Sequence, residues 1–233
     1  MYPILSLVFA LLLVFGLGDQ IKKYPVVFYT LATLFGIGIS LYYQAGLQDV
    51  LPEWLTDYVI NPFKRGAFST ALFILVMYTG ALNERWSATK KLYKVRGEIS
   101  IIACILTLAH NFIYGRRHFP NLFFHANEMK PQYLIATILT LIMILMMLPL
   151  MITSFQVVRK RMPSHTWKKV QKMAYPFFAL IYIHIMTVFL PKAEKKWLEI
   201  LLYTVIFTGY AVLRVQKAMK VQSSVKNTRV QCS

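Results

Sequence analysis

Acidic side chains are scarce, with nine Asp and Glu in 233 residues. No two of them form the paired carboxylates of a general acid and base, and no triad or activated nucleophile stands out. The two cysteines, Cys104 inside an apolar run and Cys232 near the end, cannot build a disulfide scaffold and match no metal-binding pair. The ten glycines never cluster into a phosphate-cradling loop. Segments of about ten residues with alternating polarity, the mark of a transmembrane barrel, are missing as well.

What the chain has instead is apolar length. Hydrophobic residues make up 57%, charged residues only 15%, and mean hydropathy is +0.52. A water-soluble fold is excluded on composition. The net charge of +17 would raise nucleic acid as a partner in a soluble protein. Here the basic residues fall in short clusters between uncharged runs, so they read as a topology signal and no nucleic-acid partner is expected.

Seven runs are candidates to cross about 30 Å of hydrocarbon: Tyr2 to Leu17, Pro25 to Ala45, Gly66 to Leu82, Gly97 to Tyr114, Tyr133 to Phe155, Tyr175 to Leu190 and Leu198 to Val215. The first is short, and Gly16-Leu17-Gly18 resembles a signal-peptide cleavage site. No basic residue precedes it, however, so a retained helix over 1–18 is the better reading. The chain is therefore expected to be an all-α integral membrane protein, a multi-pass bundle of six to seven helices in an inner or plasma membrane, with lipid around it. Pro25 and Pro131 sit at helix starts, and Pro149 is expected to kink the fifth span. Eighteen Lys and Arg fall on one side of this alternation and eight on the other. The positive-inside rule then puts the N-terminus outside and the C-terminus, with a basic tail over 216–233, in the cytoplasm.

Two of the five histidines lie within spans, and metal-binding or ionisable groups there are functional candidates. Both spans run outward. His110 sits about 8 Å below its outer end and His184 about 10 Å below, at 1.5 Å per residue. Two imidazoles at one depth on separate helices suit the two axial positions of a porphyrin iron. The competing reading is a pair of ordinary interhelical hydrogen bonds. Zinc would want three or four ligands, and no such cluster lies at this depth. Ala103 and Thr107 keep the face before His110 small. Arg116 and Arg117, in Tyr114-Gly115-Arg116-Arg117-His118, lie above the site, either where haem propionates would point or simply as a solvated loop pair.

An ordered set of short motifs adds to this reading: Arg96-Gly97, Leu108-Ala109-His110, Leu148-Pro149-Leu150 with Thr153-Ser154, Trp167 to Tyr175, and His184. Together they resemble the ferric-reductase-like transmembrane domain family over about Ala45 to Val215, within a unit taken as 24–215. The resemblance implies b-type haem held by His110 and His184 as iron ligands, and electron transfer across the membrane. Relatives with a second haem carry another histidine about thirteen residues inward on each ligand helix. Those positions here are Gly97 and Gln171, so one haem b, in the outer half, is expected.

No flavin or nicotinamide domain is expected in the 18 residues after Val215. The donor must come from elsewhere, and the membrane quinol pool suits a site separated from the cytoplasm by most of the bilayer. Tyr175, Gln171 and Trp167 could neighbour a quinone, although an interfacial aromatic belt also explains the Tyr and Trp. The outer loop from Gly115 to Gln132 is the expected docking surface for an extracytoplasmic redox protein or a ferric chelate. Glu98 and Glu199 read as interfacial. A non-redox transporter or scaffold subunit is the alternative class, though only Pro149 interrupts a span and no internal repeat stands out.

Overall fold

The computed structural model describes residues 2–47 and 50–231, with side chains as far as residue 220; Cys232 lies outside the described residues. Among them there is no strand. The helices in chain order are α1 (Tyr2–Lys23), α2 (Pro25–Gln44), α3 (Glu53–Lys64), α4 (Ala67–Ala81), α5 (Ser87–Phe124), α6 (Pro131–Ile152), α7 (Gln156–Arg161), α8 (Ser164–Gln171), α9 (Ala174–Phe189) and α10 (Ala193–Gln231).

Five helical stretches are long and apolar enough to cross a membrane, and six if the bent pair α3–α4 is one span. The last stretch, Ser164–Lys220, folds back at Leu190–Lys192. Phe178 stacks on Phe207 at 4.3 Å and Tyr182 bonds to Thr204 at 3.1 Å, the antiparallel register of a hairpin. That stretch therefore contributes two crossings, α9 and α10, and the chain is an all-α multi-pass membrane protein.

The centre of the bundle is α4. Its residues are apolar on every side and twelve of its fifteen are buried, as expected of a helix wrapped by others. Helix α1 packs on α4 and α5 through Pro3, Ser6, Ala10, Val14, Gly18 and Ile21, a stripe of small and medium residues at three- and four-residue spacing. Small residues matter in lipid, where close backbone approach replaces the hydrophobic effect as the source of helix association. Helix α2 lies on α5, and a Cβ on Gly36 would stand only 2.9 Å from the Ala109 Cβ. Gly36→Leu is accordingly expected to cost about 1–3 kcal/mol by forcing the two helices apart, read as a lower melting temperature in detergent; an unchanged value would show that the crossing is not tight.

The basic clusters meet at one end of the bundle. There Lys22 pairs with Glu98 at 2.8 Å, Lys94 with Asp19 at 2.6 Å and Lys217 with Glu84 at 2.8 Å. Arg214 and Lys217 of α10 both donate to the Gly80 carbonyl at 3.1 Å, which places cations at the C-terminal end of α4 where the helix dipole favours them. Exposed Glu84 is held below the usual carboxylate range by its hydrogen bond and charge interaction with Lys217.

Three expectations change. The third span does not simply begin at Gly66: α4 is about 22 Å long, too short alone, and joins α3 through a 53° bend at Arg65–Gly66. Pro149 lies in the last turn of α6, which stops at Ile152 rather than Phe155. The outer segment after Gly115 is helical to Phe124, with Pro120 inside α5 at the cost of one i→i−4 hydrogen bond, because neither Arg116-Arg117-His118 nor the following Phe119 carries a helix-ending signal. Glu98 is 3% exposed, bonded to Lys22 of α1 and, at 3.1 Å, to Gln156 of α7.

Candidate functional site

His110 on α5 and His184 on α9 both line one cavity of about 970 Å³, at the end of the bundle opposite the basic clusters. Their common depth, inferred from helix rise, thus becomes a shared chamber. Its walls include Thr107, Thr140, Met143, Met147, Ile181 and Tyr203, and its size is at the upper end of ordinary ligand pockets.

The two imidazoles are held differently. His110 Nδ1 lies 2.6 Å from the Lys64 carbonyl oxygen, which can only accept, so Nδ1 carries the proton and Nε2 keeps its lone pair. This is the second-nitrogen restraint that metal-bound histidines use. The carbonyl is available because α3 ends at Lys64: Gly66 takes φ +72° and its N–H closes on the Phe63 carbonyl, a left-handed helix end. A Cβ at Gly66 would lie 3.3 Å from His110 Cγ and Nδ1 and 3.4 Å from Cδ2, so the glycine backbone lies against the ring. His184 Nδ1 has a long 3.5 Å contact to Thr140 Oγ1, whose own proton goes to the Ala136 carbonyl at 2.8 Å, and the His184 ring also engages the Ala136 backbone.

Of the two arginines singled out above the site, Arg117 lines the cavity and Arg116 does not. Both project from the extended α5, one residue apart, so their side chains diverge by about 100° around the helix. Arg65, Lys130, Lys192 and Lys196 also line the chamber, and Lys196 pairs with Glu199 at 2.7 Å. Glu199 therefore stands on the chamber wall. His118 stacks on Tyr133. Among the described residues no group of three or more His, Cys, Asp and Glu could hold a metal ion. Two histidines are what the iron of a porphyrin requires from a protein, and both are present with their Nδ1 atoms turned to polar partners.

A second cavity of about 930 Å³ occupies the basic end, bounded by Gly97, Gln171, Trp167 and Tyr175 among others. Phe73, Met147 and Phe177 line both chambers, which are therefore stacked with one layer of side chains between them. Gln171 Nε2 donates to Thr153 Oγ1 at 2.9 Å and Trp167 Nε1 to the Thr153 carbonyl at 2.9 Å. Neither Gly97 nor Gln171 offers an iron ligand.

Sequence reading found both histidines but missed Gly66, the Lys64 carbonyl, Arg65 and the shared partition. A signal for the first two existed, since Lys64-Arg65-Gly66 is the basic-then-glycine pattern of a helix C-terminus; the apolar run that follows masked it as a span start. The partition has no local signal, because Phe73, Met147 and Phe177 come from three helices.

Comparison with known proteins agrees with this architecture. An uncharacterized protein of Treponema pallidum (strain Nichols) is 34% identical over 223 residues, covering 94% of this chain and 61% of the relative. The chain thus spans about three fifths of that protein's length. No solved structure matches. Residues 65–182, just over half of the chain and running from the elbow beside His110 to within two residues of His184, match the family described as ferric reductase like transmembrane component. The chain belongs to that family of ferric reductase like transmembrane components.

Proposed function

We propose that this protein carries one haem b, held by His110 and His184, and passes electrons from membrane quinol to an acceptor on the extracytoplasmic side, in the manner of MsrQ, the haem b membrane subunit of the periplasmic methionine sulfoxide reductase system. The observation that carries the reading is the pair of histidines from two helices facing one chamber, with the His110 tautomer set by a backbone carbonyl. The haem would supply a one-electron carrier. The chain's own residues would ligate it through the two Nε2 atoms, keep water from it with the apolar wall, and meet its propionates with Arg117 and Arg65; the position of Arg116 off the chamber supports giving that role to Arg117 alone of the two.

The stacked chambers favour a membrane-soluble donor. A quinol in the inner chamber, near Gln171, Trp167 and Tyr175, would be separated from the haem chamber by only the Phe73, Met147 and Phe177 layer. The positive-inside bias puts this basic end in the cytoplasm of a cell inner or plasma membrane, with the N-terminus outside. Residues 24–215 would form the haem-carrying unit, α1 an additional helix, and 216–233 a basic cytoplasmic tail. MsrQ-like chains typically have histidine at the position of Gln171, and its replacement here supports a single haem. A haem-to-protein ratio near one is the expected result for the detergent-purified protein; a ratio near two would overturn the single-haem reading.

A ferric-chelate reductase is the second reading, favoured by Arg65, Arg117, Lys130, Lys192 and Lys196 around the outer chamber, which would draw anionic chelates. Rapid reoxidation of the dithionite-reduced haem by ferric citrate would favour it over a protein acceptor. A broken span such as α3–α4 also occurs in transporters, but here the carbonyl it releases is taken by His110. Absence of a Soret band would leave the non-redox class standing.

A further inference from the structure

We infer that the Lys64–Arg65–Gly66 elbow is a positioning device that fixes the plane and tautomer of His110 and thereby lowers the reduction potential of the site; Gly66 is its positioning residue. The potential part of this inference rests on the reading of His110 as a haem ligand, whereas the tautomer part does not.

The elbow is pinned from three sides. Lys64 Nζ lies over the Tyr43 ring of α2 at 3.5 Å, the Arg65 guanidinium lies over the Tyr2 ring of α1 at 4.7 Å, and the Lys64 carbonyl accepts from His110 of α5. A backbone acceptor held this firmly makes a short hydrogen bond that does not rotate away as a side-chain partner can. The bond gives His110 partial imidazolate character, which strengthens donation through Nε2 and stabilises the more positive metal state. His184 is held instead by a 3.5 Å contact to the Thr140 hydroxyl and by the Ala136 backbone, both on α6. The two imidazoles are therefore held by different devices, and the elbow acts on His110.

Glycine is required at position 66 on two counts. The φ of +72° is left-handed, and the would-be Cβ stands 3.3–3.4 Å from three ring atoms. Any side chain there pushes the imidazole off the Lys64 carbonyl by a few tenths of an ångström. Among the described residues the other glycine with positive φ is Gly46, at +69°, and a Cβ there would meet nothing within 4 Å. Asn tolerates the left-handed region, so Gly66→Asn and Gly46→Asn separate ring contact from backbone strain.

The experiment compares the full-length parent with both variants in detergent, by potentiometric titration and absorption spectra of the haem and by 15N NMR of labelled histidine in the haem-free protein. The parent should show His110 protonated at Nδ1 alone. Gly66→Asn should mix the tautomers, shift the midpoint potential positive and weaken the low-spin spectrum, with helicity retained; Gly46→Asn should match the parent in all three. Haem loss in Gly66→Asn with helicity retained likewise supports a positioning role. The inference is overturned if Gly66→Asn keeps the parent's tautomer, if both variants shift equally, or if Gly66→Asn loses its helicity. A parent without a Soret band but with a single Nδ1-H tautomer, mixed only in Gly66→Asn, would sink the haem reading and leave the elbow's effect on His110 standing.

Discussion

His110→Ala and His184→Ala, each alone, are expected to remove the Soret band from the purified protein, with haem affinity falling by about 100-fold or more. Changing even the partner that orients a metal-bound histidine typically costs 10–100-fold, and removing the ligand nitrogen itself must cost at least as much. The protein should remain folded, because the chamber wall is made largely by α4, α5, α6 and α9 residues that neither substitution touches. Helicity by circular dichroism checks that point. The two variants should not be equivalent: His110→Ala frees the Lys64 carbonyl of the elbow, whereas His184→Ala releases Thr140 and the Ala136 backbone of α6. Retention of stoichiometric haem in the double variant would show that the cofactor, if present, is bound elsewhere.

Lys22→Met should destabilise the bundle, while Lys22→Met combined with Glu98→Met should recover most of the loss. The Glu98 side chain is 4% exposed and its charge is answered by Lys22, with Gln156 as the remaining donor. Leaving a buried carboxylate without its cation ordinarily costs 3–5 kcal/mol. Because the Lys22 side chain is 36% exposed, water can partly replace it, and the discounted cost is about 1–2 kcal/mol. Replacing both charges with apolar groups removes the ion pair and leaves only the Gln156 amide without its acceptor, a smaller loss. Thermal unfolding of the three proteins in one detergent measures the coupling. Equal losses in single and double variants would mean that the ion pair contributes nothing beyond its separate side chains. The same result bears on α1, since Lys22 is how this helix reaches the inner chamber.

Much of this architecture was legible before any coordinates. Helix starts at Pro25 and Pro131 appeared where a missing N–H costs nothing, and the apolar runs located the spans because a bilayer demands internally satisfied backbone over a fixed thickness. His110 and His184 could be singled out because polar groups are rare at that depth. The sequence is silent where length and hydropathy say nothing about direction. Glu98 and Glu199 were placed near helix ends from position alone, and only packing shows that one lies beneath Lys22 and the other lines the outer chamber. The segment after Gly115 looked like a loop because it is polar, but polarity does not end a helix.

By itself the sequence determined that the chain is an all-helical membrane protein, which residues could ligate iron, and which clusters lie on a common side. These are consequences of solvent and period, and each is encoded within a few turns of one helix. Only the tertiary structure decided that the histidines share a chamber, that a left-handed glycine and a released carbonyl set one of them, and that Phe73, Met147 and Phe177 divide the bundle into two stacked cavities. Those features depend on how helices rotate and bend against one another, and no single segment carries that information.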